Sequence, residues 1–341
     1  MVCNVFKIFS LSRFFEWSVQ GLEGSPTTTQ RAPSDERKRT EVCETLKVAM
    51  SSGRDSTLWD AARDGCVETV LALLQAGADP NDSNERGITP IWYASQNGHA
   101  HVVQPLLQRG AAAQSVALCE GVPIPAIWIA AQEGHADVAR LLLGAGADPN
   151  ATRGSDGCTT LWQPVFRGHL DVVRLLLEGG ADPNVGDGNT RSTPLMNAAS
   201  MNRVEETRLL LKSGANVDAS QINGYTALLH AAFEGHVEVA RILLQAGADV
   251  DHTNNQGHTP LHVALRKKQK DVALLLLRHG ACLPDSANFS DAIRMVEWLV
   301  DAGTEREASH AAEVARLRLD VQSLQDGIPY LLQAAMGHAH R

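Results

Sequence analysis

Along most of this chain apolar and polar positions alternate in the rhythm of short helices. In the stretch TTLWQPVFRGHLDVVRLLLEGGADPN, residues 159–184, the positions Val172, Val173, Leu175, Leu176 and Leu177 make an apolar stripe that has to be buried. The stripe stops on glycine, and Ala-Asp-Pro-Asn leads out through a turn. The same ending recurs along the chain. Glycine closes an apolar helix at Gly77, Gly110, Gly146, Gly180, Gly214, Gly247 and Gly280, at intervals of 33, 36, 34, 34, 33 and 33 residues. A period that regular marks a repeat array. A second mark runs in phase, Gly65, Gly98, Gly134, Gly168 and Gly235, with Asn202 and Lys268 at that place in the fifth and seventh copies. Each copy is therefore predicted to hold two helices.

The seventh copy states the rules of the unit. Thr259 is placed to cap the first helix, and Pro260 follows at its first position, where a missing N–H costs nothing. Small residues such as Ala130-Ala131 and Ala231-Ala232 let neighbouring first helices approach closely. The second helix carries the leucines, and two helices cannot bury them alone, so stacking of copies is forced. The closing glycine takes the left-handed cap, and the turn after it reaches the next copy.

These residues resemble the ankyrin repeat, with its G-x-T-P-L-H-x-A-A-x-x-G-H element, its V-V-x-L-L-L helix and its G-A-D-V-N ending, over roughly residues 55 to 283. The resemblance implies an all-α fold: a solenoid of helix pairs with short β-hairpin loops, flanked by non-repeat termini, each copy touching only its neighbours. The expected organisation is an apolar N-terminal segment (1–22), a polar linker (23–40), an array of about seven repeats with helical caps (41–304), and a C-terminal helix and tail (305–341). Three departures stand out. The histidine of the T-P-L-H element is tryptophan in the first four copies: Trp59, Trp92, Trp128 and Trp162. Such a ladder reads either as a recognition stripe or, the preferred reading, as packing at the seams between copies. Pro105 falls inside the second helix of copy two, and Pro164 replaces the first small residue of copy four; both are expected to be helix defects. Copy three has three extra loop residues, which predicts a distorted hairpin between Val116 and Ile124.

Composition narrows the function. The chain has 341 residues, 44% of them hydrophobic, and a formal net charge of -9. That balance argues against a nucleic-acid surface and leaves another protein as the expected partner. Six scattered cysteines without a C-x-x-C pattern favour free thiols over a disulfide framework. No apolar run is long enough to span a bilayer, although residues 1–20, rich in Phe and Ile, suit a membrane surface as an alternative. The expected localisation is cytoplasmic, with nuclear or membrane-peripheral residence as alternatives.

No motif for catalysis is present: there is no G-x-S-x-G, no phosphate-binding glycine loop and no H-E-x-x-H. His99, His135, His169 and His236 recur one copy apart, too far to share one ion, so no metal, cofactor or catalytic residue is expected. What remains is the surface made by repetition. Carried over position by position, the family's concave face takes Glu85, Arg86, Ile88, Tyr225 and His258 from the hairpins. The ends of the first helices add Gln96, Asn97, Gln132, Glu133, Phe166, Arg167, Phe233, Glu234, Arg266 and Lys267. Exposed aromatics and arginines anchor interfaces, which singles out Phe166, Tyr225 and Phe233. The reading is a non-enzymatic scaffold or adaptor that binds a protein. The alternatives are a peripheral membrane tether and a substrate receptor of a ubiquitin ligase.

Overall fold

The computed structural model describes residues 58–282. The expectations for the N-terminal segment, the linker, both helical caps and the C-terminal helix and tail lie outside those residues. Seven helix pairs follow one another. They are α1 (Leu58–Asp64) with α2 (Val67–Gln75), α3 (Pro90–Gln96) with α4 (Ala100–Gln108), and α5 (Ala126–Glu133) with α6 (Ala136–Gly144). Then come α7 (Trp162–Arg167) with α8 (Leu170–Glu178), α9 (Pro194–Ser200) with α10 (Val204–Lys212), α11 (Ala227–Glu234) with α12 (Val237–Gln245), and α13 (Pro260–Lys267) with α14 (Lys270–Arg278). First helices stack on first helices and second on second, in chain order, so the array has two layers with the core between them.

The sequence rules for the ends hold in most copies. Thr89, Thr193, Thr226 and Thr259 each accept a backbone N–H three residues on, which satisfies one orphan donor of the helix start. At all seven second-helix ends the residue after the glycine donates to the carbonyl five residues back, as Ala181 does to Leu176 at 2.9 Å. The glycine between them needs a positive φ, 93° at Gly180. The buried stripe is narrower than expected. Val172, Val173 and Leu176 are buried in α8, while Leu175 and Leu177 are only half-buried. Spacing i, i+1, i+4 defines the inward face, and the other two leucines flank it.

Two of the expected irregularities turn out differently. Pro105 does sit within α4, so the His101 carbonyl loses the N–H that would bond it. Pro164 is not an interruption. Helix α7 begins only at Trp162, two residues later than the threonine-capped pattern, which places Pro164 in the first turn, where no N–H is needed. The hairpin of copy three is regular, not distorted. Strands β1 (Val116–Cys119) and β2 (Val122–Pro125) pair antiparallel, Val116 opposite Pro125 and Cys119 opposite Val122. The turn residues Glu120 and Gly121 have φ of 53° and 80°, the pair of left-handed values that suits strand twist. The extra residues lengthen the strands. A shorter pair, β3 (Thr152–Arg153) with β4 (Cys158–Thr159), follows in copy four.

Candidate interaction face

What packs the copies together decides what is left for a partner. In five of the copies the histidine or its replacement at the start of the second helix bonds back one copy. His99 contacts the Arg63 carbonyl through Nε2 at 3.0 Å, His135 that of Gln96 at 3.0 Å, and His236 that of Ser200 at 3.1 Å. Arg203 donates to the Phe166 carbonyl at 3.1 Å and Gln269 to that of Phe233 at 3.4 Å. The ring also covers the preceding copy's glycine: a Cβ on Gly134, whose φ is 81°, would stand 2.7 Å from His169 Nδ1. These histidines are mortar between copies. Burial lowers the pKa of His99 and His169, and the His99 and His101 rings bind two different carbonyls, those of Arg63 and Gly65.

The indoles are seam residues too. Trp92 is 3% exposed and Trp128 1%. Their Nε1–H groups donate to hairpin carbonyls of the next copy, Ile124 at 2.9 Å and Cys158 at 3.2 Å. A third seam contact was not visible in the sequence. The last residue of each Ala-Asp-Pro-Asn turn clasps the helix end of the following copy. Asn150 Nδ2 donates to the Gly180 carbonyl at 3.3 Å while its Oδ1 accepts from the Asp182 N–H at 2.8 Å. Asn81 and Asn184 repeat the clasp, and Gln114 does so in copy two.

With the seams accounted for, the expected face residues can be placed. Glu85, Arg86, Asn97, Arg167, Glu234, Arg266 and Lys267 are exposed; Gln96, Gln132, Glu133, Phe166, Tyr225, Phe233 and His258 are half-buried. Ile88 is a correction. It is 5% exposed, because Asn84 Oδ1 accepts from both the Arg86 and Ile88 N–H groups at 3.0 Å and closes a turn that leaves Glu85 and Arg86 outside and folds Ile88 inward. Neighbouring copies touch along this row. Arg167 pairs with Glu133 at 3.5 Å, and Lys267 Nζ lies 3.8 Å from the Phe233 ring centroid. Phe166 stacks on Trp162 at 5.5 Å, and Tyr225 lies 5.3 Å from the His230 ring. Each of these aromatics is thus half-buried and in contact with a neighbouring ring or cation.

Sequence reasoning missed the apolar hairpin: Val116 is 46% exposed, Leu118 54% and Val122 39%. The signal was there, since V-A-L-C-E-G-V-P-I-P alternates around a two-residue turn. Ile222, at the tip of copy six, is more exposed still at 60%. Two of the thiols are held protonated, because burial pushes Cys158 up to about 12 and raises Cys119 as well. Among the described residues no group of three or more His, Cys, Asp or Glu could hold a metal ion, and no helix is long and apolar enough to cross a membrane.

Seven helix pairs, glycine-capped and stacked through their seams, define a solenoid repeat protein. The family model for ankyrin repeats in three copies matches residues 58–153, 123–187, 167–254 and 217–287. The chain belongs to the ankyrin-repeat family, whose repeats form protein–protein interaction domains. Its array is similar to the crystal structure of the human ASB11 ankyrin repeat domain, with a TM-score of 0.57 and 26% identity, covering 66% of this chain and 98% of that one. Shorter stretches are similar to curated proteins. Human ankyrin repeat domain-containing protein 39 is 43% identical over 54 residues, 16% of this chain and 30% of that protein. Rat cyclin-dependent kinase 4 inhibitor B is 47% identical over 62 residues, 18% and 47%. The matches thus span less than half the length of these relatives.

Proposed function

We propose that this protein is a non-enzymatic scaffold or adaptor that holds a partner protein against the hairpin side of its array. The observation that carries this reading is the division of positions within the copies. Core positions repeat and are buried, while most hairpin tips and first-helix ends differ from copy to copy and are exposed or half-buried. Varied, exposed side chains on a fixed frame are what a specific binding surface requires. The half-open aromatics Phe166, Tyr225 and Phe233, flanked by Arg167 and Lys267, supply the anchor chemistry. The name of the rat relative, a kinase inhibitor, fits a partner that is itself a protein.

The test is affinity purification of the full chain with quantitative mass spectrometry, run against two variants. Replacing Phe166, Arg167 and Phe233 by Ala together should strip specific partners from the purified protein. Replacing Arg174 and Arg241, exposed on the second helices, should leave them bound. Loss of partners only from the second variant means that the wrong face has been assigned.

A further inference from the structure

The hairpin of copy three has one closed edge and one open one. The Ala126 N–H donates to the Ser115 carbonyl at 2.8 Å, so in this register the bonded pairs fall at Ser115, Ala117 and Cys119. The N–H and C=O groups of Val116 and Leu118 therefore point away from β2, and no hydrogen bond reaches them among the described residues. On the β2 side the corresponding positions are Pro123 and Pro125, which have no N–H. Copy four also leans on that side: a Cβ on Gly154 would stand 2.8 Å from Val122 Cγ1. Later hairpins are laced to each other instead. Gly188 donates to the Asp156 carbonyl at 2.7 Å, Ile222 to Thr190 at 3.0 Å and Asn255 to Asn223 at 3.1 Å.

We propose that β1 is a docking edge for an added strand, an extended segment of the partner protein with apolar side chains at alternate positions and an acidic residue beside them. The proposal rests on the reading that the hairpin side binds a protein, and it names the form of that partner. Unpaired backbone groups on residues two apart match an extended chain, whose own groups repeat at the same spacing. The side chains of Val116 and Leu118, opposite Pro125 and Pro123, lie on a common face, which calls for an apolar alternation in the incoming strand. Arg86, exposed in the hairpin of copy two, acts on the Cys119 thiol together with Glu120 and forms no ion pair among the described residues, which suits a carboxylate on the incoming strand. A second copy of this chain does not suit the edge as a stable occupant. The exposed side chains of Val116, Leu118 and Val122 offer on the order of 300 Å² of apolar surface per copy, about 600 Å² in a symmetric pair, against the roughly 1,200 Å² total of a stable interface.

A random peptide library displayed on phage and panned on the full chain provides the probe. The expected peptides alternate apolar residues, carry an acid, and bind at least about tenfold more weakly when alternate peptide amides are N-methylated. The same loss is expected on Leu118→Pro, which removes an edge N–H, while circular dichroism stays unchanged. Leu118→Thr keeps that N–H and should weaken binding less. If N-methylation has no effect, strand addition is wrong, whatever Leu118→Pro does to the fold. Peptides released by Phe166→Ala or Phe233→Ala but indifferent to both Leu118 variants would overturn this inference and leave the proposed face standing. Peptides indifferent to all four substitutions would overturn both. Absence of any enriched peptide, or a dimer in sedimentation that Leu118→Pro abolishes, also overturns the docking edge.

Discussion

Between copies three and four, Asn150 uses both ends of its amide, donating to the Gly180 carbonyl and accepting from the Asp182 N–H. Between copies five and six the same position is Asp218, which only accepts, from the Asp249 N–H at 2.9 Å; Asp251 does likewise with Cys282. A carboxylate has no proton to give, so these later seams lose one bond each. The two regions differ elsewhere in the same sense. Buried indoles fill the early seams, while Met196, Leu229 and His262 take that position in copies five to seven. The later copies gain the backbone bonds between hairpin tips that the seam between copies two and three lacks. One repeat frame thus tolerates two sets of joints, side-chain joints early and hairpin joints late. The hairpin of copy three is among those spared this lacing.

The comparison can be broken most severely at Trp128. Replacing it with Ala removes a buried indole and its bond to Cys158, and should cost about 3–5 kcal/mol in urea titrations. The half-buried His262 of copy seven should cost about 1 kcal/mol when changed to Ala. Equal losses at the two positions would remove the distinction between the regions.

Next in size is an acid effect that is largest in copy six, where the shift is greater than at His99 and His169. The His230 Nε2 is buried without a hydrogen-bond partner, and burial pushes its pKa down to about 4. The unfolded chain takes up the proton below about 6.5, and the folded one refuses it until about 4. Stability is therefore full above pH 6.5 and falls as the pH drops toward 4, by up to about 3 kcal/mol. His230→Val, the residue at this position in copy seven, should flatten that part of the stability-versus-pH curve. A curve unchanged by the substitution would mean that the ring is protonated in the folded protein.

The two prolines should separate. Pro105→Leu restores an N–H for the His101 carbonyl and should raise stability by about 1–2 kcal/mol, offset in part by greater freedom of the unfolded chain. Pro164→Ala should gain less than about 0.5 kcal/mol, because the first turn of α7 has no bond to recover. A larger gain at Pro164 would show that it shortens the helix by force.

The smallest effects test the clasps directly. Asn184→Asp should cost about 1 kcal/mol by losing the donor to the Gly214 carbonyl, and Asp218→Asn should gain about 0.5 kcal/mol by supplying one to the corresponding carbonyl of copy six. Opposite signs for the two exchanges, measured as shifts of the urea midpoint, are the expected result. Matching signs would mean that local turn preference, not the clasp, sets the energy.

Residues 58–282 show how far local chemistry reaches. Period, helix pairs, threonine caps and glycine endings are determined by contacts within a few residues, so their signals sit together in the sequence and could be read there. The varied face could be outlined the same way, since Glu85, Arg86, Arg167 and Lys267 follow directly from the repeat pattern and are exposed. Ile88 fits the same pattern and is buried, because the side chain of Asn84 sets its turn. Seam packing of the tryptophans could be read as well, but the bonds made at the seams lie beyond the sequence for a different reason. Trp92 and Trp128 bond to the next copy, while the indole nitrogens of Trp59 and Trp162, at the equivalent position, are buried without a partner among the described residues. Identical residues diverge because their acceptor is a backbone carbonyl some 30 residues away, brought into or out of reach by how two copies stack. The open edge of β1 is decided in the same way. Sequence makes the hairpin, and only the placement of its neighbours leaves the backbone groups of Val116 and Leu118 without a partner among the described residues.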